Sequence, residues 1–272
     1  MNLLLIAAVV VGTWNGNWFP SGRAEHRAHP DVEAATIAAA GKMLADGFRR
    51  LDPLATNDWV LCLNEIRGPK SASNLIARIG RADLKLDVIT DYRRRDRFDM
   101  QQDVIASTLP VAAIEKMKYP YKGKNTPPRG YAFAALVLEP SVTAAVYALH
   151  LKSNYGATND ELRRLNRVKR RSAVKAIVER EAGRRRPVVV AGDFNADRRR
   201  KEFADEEFFA LLDGFTDALD LLPIARRWTH PSKTYGNSAL DHIYLRDLVP
   251  AATETVPARD LSDHYAVFTL LP

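Results

Sequence analysis

The stretch Pro187-Val-Val-Val-Ala-Gly-Asp-Phe-Asn-Ala-Asp197 decides how the rest of the chain is read. Val188 to Ala191 is short, β-branched and apolar on both faces, which marks a central strand buried on both sides. A strand of that kind needs a turn at its end, and Gly192 is expected to supply it. Beyond it, Asp193 and Asn195 stand two apart, a spacing that puts both side chains on one face. One is an acceptor-only carboxylate; the other is an amide that donates and accepts. At the open edge of a buried strand the pair suits a bound phosphate and a hard cation. A polar turn with Asx caps is the plainer alternative, and these residues alone do not separate the two.

The chain has 272 residues, 46% of them apolar, enough for one large domain with a full core over residues 1–272. No Gly/Ser linker, low-complexity tract or internal repeat divides it. Forty Lys+Arg stand against 33 Asp+Glu, giving a net charge of +7 and a pI near 9.5. The basic residues cluster at Arg93, Arg94, Arg95 and Arg97, at Arg163 to Arg171, at Arg184 to Arg186 and at Arg198 to Lys201. Such a field favours polyanions, nucleic acid before an anionic membrane surface. Any one run of charge by itself reads more readily as a solvated face. The single cysteine, Cys62, lies inside the apolar run Trp59 to Leu63. It has no internal disulfide partner and no zinc spacing, so a buried inert thiol is expected. Met1 to Val11 is apolar, but it lacks a basic n-region and a small-x-small site before Gly12. It is also too short to span a bilayer. Read as a first core strand, it favours a cytoplasmic location over export without deciding the matter. No stable membrane insertion is expected, and a monomer is the default.

Strand one is expected from about Leu3 to Trp14. Pro30 and Asp31 open a helix with Ile37, Gly41, Leu44 and Phe48 at helical spacing. Trp59 to Leu63 is a second buried strand ending in Asn64-Glu65, before a turn at Gly68-Pro69. A helix over Ser71 to Ile79 follows, then strands over Leu86 to Thr90 and Val104 to Ser107. A loop rich in Lys, Pro and Gly covers Tyr119 to Arg129. Tyr131 to Leu138 and Thr143 to Leu149 form a hairpin. Thr158, with Glu161 completing a capping box, starts a helix running to about Ala182. Its Leu162, Leu165, Val168, Ala176 and Ile177 should face inward and its arginines outward, with Gly183 ending it. Lys201 to Leu212 is expected as a further helix, and Ile243 to Leu245 and Ala266 to Leu270 as short strands. Hairpins mixed with strand-helix-strand units predict an α/β (α+β) fold in which two mixed sheets pack together with helices outside.

Polar groups gather at the strand ends. Thr13-Trp14-Asn15 ends strand one, Asn64-Glu65 ends strand two, and His150-Leu151-Lys152-Ser153-Asn154 ends the hairpin. Asp193 and Asn195 end the central strand, Leu240-Asp241-His242-Ile243 precedes another, and Ser262-Asp263-His264 opens the last. Six apolar segments each punctuated by Asp, Glu, Asn or His exceed what scattered turn residues produce. In these motifs, T-W-N, N-E, H-L-K-S-N, G-D-F-N, L-D-H-I and S-D-H, the chain resembles the endonuclease/exonuclease/phosphatase superfamily, the deoxyribonuclease I-like proteins. They stand in the family's order from residue 13 to 264, so the likeness covers nearly the whole chain.

The resemblance implies a four-layer sandwich with the active site across one edge of the paired sheets, and hydrolysis of a phosphoester with a divalent metal. Asn15, Glu65 and Asp263 offer oxygen ligands, which suit Mg²⁺ or Mn²⁺, with Ca²⁺ as a supporting ion. His264 is then the general base, and Asp241 orients its ring. His150 donates to the phosphoryl or leaving oxygen, while Asp193 and Asn195 position the water and the phosphate. Arg129, in a Pro-Arg-Gly loop, is placed to clamp a phosphate; Lys152 and Asn154 are further substrate contacts. Asn17 reads equally as a substrate-side group and as a turn residue. Asp103 is a candidate partner for His150, and His242 should face away from the site because its neighbour Asp241 points in.

Departures from subgroup patterns narrow the substrate. Abasic-site endonucleases usually carry Tyr where His150 stands, and inositol polyphosphate phosphatases carry W-C-D-R where Ala239-Leu240-Asp241-His242 stands. Secreted sphingomyelinases use an exposed aromatic hairpin that is not visible here. Two histidines, His150 and His264, resemble the arrangement of deoxyribonuclease I. The expectation is a Mg²⁺-dependent phosphodiesterase on DNA, with RNA as a second substrate, of low sequence specificity, leaving 5′-phosphate and 3′-hydroxyl ends. Its rivals are a phosphatase or lipid phosphodiesterase on the same site, of inositol phosphate or sphingomyelin type, and a non-catalytic polyanion-binding protein.

Overall fold

The computed structural model describes residues 8–22, 27–94, 97–98, 101–119, 122–234 and 236–272. The expected strand residues 3–7, Arg95 of the first basic run, and positions 120–121 of the Lys/Pro/Gly loop lie outside the described residues. Along the chain come β1 (Val9–Phe19), α1 (Pro30–Leu51), β2 (Asp58–Ile66), α2 (Pro69–Ile79), β3 (Lys85–Ile89), β4 (Arg93–Arg94) and β5 (Arg97–Phe98). Then follow β6 (Gln102–Ser107), β7 (Val111–Met117), β8 (Tyr131–Glu139), β9 (Val142–His150), α3 (Asp160–Arg180) and β10 (Val188–Asp193). The chain ends with α4 (Phe208–Leu211), β11 (Thr216–Asp217), β12 (Asp241–Arg246), β13 (Ala252–Val256) and β14 (Ala266–Leu271). One six-stranded mixed sheet has the order β13-β14-β1-β2-β6-β3, the other β11-β12-β10-β9-β8-β7.

Period-two alternation sorts the apolar residues into three layers. In β1, Val9 and Val11 point toward the second sheet, while Val10 and Trp14 point out under α1 and α2. In β2, Val60 and Cys62 point in and Trp59, Leu61 and Leu63 point out. In β10, Val189 and Ala191 point in, while Val188 and Val190 point out under α3. The inner layer is mostly Val and Ala, small enough for two sheets to close. Aromatic rings fill the outer layers: Phe48 stacks on Trp59 at 4.4 Å and meets Phe268 edge-on at 5.0 Å. Helix, sheet, sheet and helix make a four-layer α/β sandwich, as the strand pattern and the resemblance lead one to expect. The Cys62 thiol is fully buried, and burial first, then Asp103, pushes its pKa far above the ordinary range. No helix among the described residues is long and apolar enough to cross a membrane.

Several local expectations change. Gly192 makes no turn, because β10 continues through it to Asp193. A Cβ there would lie 2.0 Å from Leu149 O and 2.9 Å from Asn64 Oδ1, at a φ of +141°, so glycine is required for close approach rather than reversal. The cap of α3 is Asn159, not Thr158: its side chain accepts from Leu162 N at 2.9 Å. The arginines of α3 do not all face water. Arg170 is fully buried, with Nε 3.0 Å from Glu206 and a second, shorter bond from Nη2 to the same carboxylate. Leu162 is correspondingly 39% exposed. Lys201 to Leu212 is not one helix but a 3-10 turn at Lys201–Phe203 and the short α4. Phe203 and Phe208 are both buried and five residues apart, a spacing no helical face provides, and Glu206 between them turns in to Arg170. The strands β7 and β13, and the two-residue β4, β5 and β11, escaped the sequence reading. The first, Val-Ala-Ala-Ile-Glu-Lys-Met, lies at a sheet edge with Val111 and Ile114 exposed, so it carries little alternation to find.

Arg170 and Glu206 have almost no exposed side chain, so removing one leaves a buried charge alone. Urea unfolding should show Arg170→Ala losing about 3–5 kcal/mol. The neighbouring Arg171→Ala, which breaks an exposed pair with Glu207 at 2.7 Å, should cost under about 1 kcal/mol. Equal losses for the two variants would contradict the assignment of Arg170 as a buried brace.

Candidate active site

The parallel strands β1 and β2 end at one edge of the sandwich, as do β9 and β10; β6 and β12 begin there. On the inner-facing parity of Val9 and Val11 lies Asn15; on that of Val60 and Cys62 lies Asn64. Register does the rest. Asn15 pairs with Asn64 across β1 and β2, while Asp193 pairs with His150 on one side and Asp241 on the other. The apolar layer between the sheets thus ends in a polar cap built from both.

Four non-glycine residues at this edge take left-handed backbone: Asn17, Trp18, Glu65 and Asn195, with φ between 47° and 60°. Each conformation costs roughly 1–2 kcal/mol for an L-residue, and the surrounding contacts hold it. Glu65 falls on the outward parity of its strand. Its left-handed backbone accompanies a carboxylate that accepts from Trp18 N at 3.1 Å and lies 3.5 Å from His150 Nε2.

Asp193 is the hub. Its Oδ2 accepts from Asn15 Nδ2 and Asn195 Nδ2, both at 2.9 Å, and its Oδ1 from Asn195 N at 2.7 Å. Its own N–H donates to Asn64 Oδ1 at 3.1 Å, across the sheet interface. His150 Nε2 stands 3.5 Å away and His264 Nε2 4.0 Å. His264 Nδ1 meets Asp241 Oδ2 at 2.7 Å. Asp241 N donates to Thr229 Oγ1, and His264 N to Ser262 Oγ, which in turn donates to Asn15 O. Trp14 Nε1 donates to His264 O at 3.3 Å.

Burial, with Asp241 adding to it, raises the Asp193 pKa to about 7, against the opposing pull of His264. Burial works to lower that of His264, but Asp241 first and Asp193 second overcome it and raise it to about 10. Burial, then Arg129, holds His150 neutral, well below the usual imidazole range. Among the described residues, His150 Nδ1 and Asp241 Oδ1 are buried without a hydrogen-bond partner.

The structure brings together Asn15, Glu65, His150, Asp193, Asn195, Asp241 and His264. No hydrogen bond or ion pair among the described residues links Asp263 to Asn15 or Glu65. The Asp263 side chain is 52% exposed and sits 3.5 Å from His230 Nε2, and ligand atoms of Asp263, His230 and His264 lie within 4.8 Å of one another. Arg129 spends Nε on His150 O and Nη2 on Leu151 O, each at 3.3 Å, and Nη1 on Gln101, so it braces the end of β9. Lys152 Nζ donates to Ser153 O at 2.9 Å. Asn154 Oδ1 accepts from Arg170 and Asn166, which ties it to α3. Asn17 donates its backbone N–H to Asn15 Oδ1 at 2.9 Å. Asp103 does not hold His150; it accepts from Asn64 Nδ2 at 2.7 Å and Tyr92 OH at 3.1 Å. His242 faces away, bound to Asp217 at 2.7 Å. The basic clusters are partly neutralised at home: Arg186 pairs with Glu181, Arg199 with Asp197 and Arg200 with Glu202.

Sequence reasoning placed Asn64 and Ser262 in its motifs but gave them no role, and it missed Thr229 and His230. The Asn64 signal was available, since it shares the inward parity of Val60 and Cys62 where an apolar residue belongs. His230, whose ring centroid is 4.8 Å from that of His264, lies in an irregular segment with no pattern to expose it.

The donor set suits a hard divalent cation. Glu65, Asp193 and Asp241 are nearly buried carboxylates in one edge, offset by one imidazolium, and the unmet Asp241 Oδ1 adds to the excess of acceptors. Ligand atoms of Asp193, Asp241 and His264 lie within 4.8 Å of one another, and Glu65 adds a further carboxylate 3.5 Å from His150 Nε2. Asn15 donates N–H to Asp193 and, at 3.4 Å, to Glu65, while its oxygen is turned to Asn17 N–H. It would offer that oxygen to a cation only by turning its amide.

The model of the Endonuclease/Exonuclease/phosphatase family matches residues 12–264. A search of curated proteins gave no match. Among solved structures, a humanized D. rerio TDP2 with 14 mutations is 16% identical, with a TM-score of 0.67, covering 97% of this chain and 99% of that one. D. rerio TDP2 complexed with single strand DNA product is also 16% identical, at a TM-score of 0.64 and the same coverage. Sphingomyelinase C from Streptomyces griseocarneus is 19% identical, at 0.62, covering 97% and 99%. These likenesses establish a shared fold.

The raised pKa of His264 sets a sign for stability. The folded chain keeps a proton that the unfolded chain releases above pH 6.5, so the stabilisation is full below 6.5 and lost as pH rises through about 10. In EDTA, the urea midpoint should therefore fall between pH 6.5 and about 10, and His264→Gln should flatten that decline. A slope unchanged by the substitution would count against the buried His264–Asp241 ion pair.

Proposed function

This chain belongs to the Endonuclease/Exonuclease/phosphatase family and is a phosphodiester hydrolase, and we propose that it cuts nucleic acid, DNA in the first place, with Mg²⁺ or Mn²⁺. The reading makes it an endonuclease of low sequence specificity that leaves 5′-phosphate and 3′-hydroxyl ends. One observation carries the hydrolytic chemistry: the His264–Asp241 pair at 2.7 Å, whose outer ring nitrogen Nε2 lies 4.0 Å from Asp193, with His150 3.5 Å from both Asp193 and Glu65. The net charge of +7 and a fold neighbour solved with a single strand DNA product support nucleic acid as substrate.

In this mechanism Glu65 would hold the cation, and Asn15 would add its amide oxygen by turning that group. When bound, the metal neutralises charge on the phosphoryl oxygens and the leaving group. Asp193 takes the proton from the attacking water: burial and Asp241 raise the pKa of its carboxyl, and its Oδ2 lies 4.0 Å from His264 Nε2, whose ring Asp241 and Asp193 keep charged. His264 instead presents its Nε2–H to the developing negative charge, with Asp241 fixing ring and tautomer. Neutral His150 donates to a phosphoryl or leaving oxygen. Asn195 holds the Asp193 carboxylate from two sides and so sets the direction of its lone pairs.

Supercoiled plasmid should be nicked with Mg²⁺ and left intact in EDTA, with ends that carry 5′-phosphate. His264→Ala should cost on the order of 10²–10⁴ in kcat without unfolding the chain. The alkaline fall in kcat/KM, as His264 loses its proton, should vanish in His264→Gln. Plasmid left whole while sphingomyelin or an inositol phosphate is hydrolysed would transfer the site to the rival substrates.

A further inference from the structure

Five residues beyond His150, at most about 18 Å away along the chain, stands an aromatic ring that the site does not use. Tyr155 is 90% exposed, the most open of the large apolar side chains among the described residues. An exposed ring on a loose loop would mean little. This turn is braced at every step: Tyr155 N donates to Ser153 Oγ at 3.0 Å, Ala157 N to Asn154 O at 2.9 Å, and Gly156 takes the φ of +77° that the turn requires. From below, Asn166 Nδ2 donates to Ser153 O at 3.1 Å and the buried Arg170 to Lys152 O at 2.5 Å. The backbone is held while the ring is left in water.

The helix that braces the turn also carries charge. Arg164, Arg167 and Arg171 follow at i, i+3 and i+7, one outward face of α3. Arg171 is matched by Glu207. Arg164 and Arg167 have no ion-pair partner among the described residues, and they line a surface groove of about 230 Å³ with Val168, Asp205 and Glu207. Arg163 and Arg167 flank Asn166, the residue that holds the turn.

Resting on the nucleic-acid reading above, we infer that Tyr155 and the Arg164–Arg167 face of α3 form a track for single-stranded nucleic acid leading away from the catalytic edge. Tyr155 stacks on an unpaired base and the two arginines follow the phosphates. An exposed ring on a braced backbone can stack any base whose face is open, which paired bases in a duplex interior do not offer. The site would therefore take single strands, frayed ends or loops in preference to uniform duplex.

Binding of a short fluorescein-labelled oligothymidylate, measured in EDTA to prevent turnover, tests the track. Tyr155→Ala should weaken it on the order of ten- to one-hundredfold, Tyr155→Phe should not, and a fully paired duplex should lose far less. Arg164→Ala with Arg167→Ala should reduce the slope of log affinity against log salt by roughly 1.4, about 0.7 for each phosphate contact. Hydrolysis of bis(p-nitrophenyl) phosphate by Tyr155→Ala should equal that of wild type. Wild-type DNA cleavage with oligothymidylate binding unchanged in Tyr155→Ala overturns the track and leaves the nuclease reading standing. Hydrolysis of the small diester without any cleavage of DNA overturns both. Tyr155-dependent binding to phosphatidylglycerol vesicles, with none to oligothymidylate, assigns the patch to an anionic membrane and also ends the inference.

Discussion

The amide of Asn15 reaches the carboxylate of Asp193 at 2.9 Å across 178 positions of sequence, and the side chain of Asn64 accepts the Asp193 N–H at 3.1 Å. Both contacts cross from one sheet to the other. A carboxylate is costly to bury, and here it is tolerable because each oxygen is met by an N–H donor. The two sheets cannot slide or open at this edge without stripping those donors away. Packing of the inner Val and Ala layer and the placing of the reactive groups are therefore one problem with one solution. Gly192 belongs to the same constraint, since any side chain there would collide with Leu149 O and Asn64 Oδ1.

From that anchor the electrostatics follow. Asp193 is crowded by Asp241 and deprived of water, so its proton is held to about pH 7, while His264, caught between the two carboxylates, keeps its own to about 10. One fold thus keeps a carboxylate near neutrality and an imidazolium beside it, a division of labour set by burial and neighbours rather than by residue type. The left-handed backbone at Glu65 and Asn195 points the same way: local strain is accepted where it aims a side chain into the site.

A second tier of contacts governs the approach to the site. Arg170, buried against Glu206, holds Lys152 O and Asn154, and Arg129 holds the carbonyls of His150 and Leu151. Cations that a charge count assigns to substrate are thus committed to the protein's own backbone. Net charge says how many basic groups exist; only packing says which remain available. Arg164 and Arg167 remain so, Arg170 and Arg186 do not.

The sequence by itself determined the layered architecture, because apolar runs of period two next to helices of period 3.6 admit few ways to hide every apolar face. It also determined that Asp193, Asn195, Asp241, His150 and His264 would end or begin strands, since each interrupts an apolar run. It did not determine that Asp263 would pair with His230, that Asn64 would tie the sheets, or that His264 would carry a proton. Alternation along one strand is a local property, legible from spacing. Which strand ends meet, which lone pairs remain unmet and how far water is excluded depend on register and burial summed over the whole fold, and those exist only once the chain has closed.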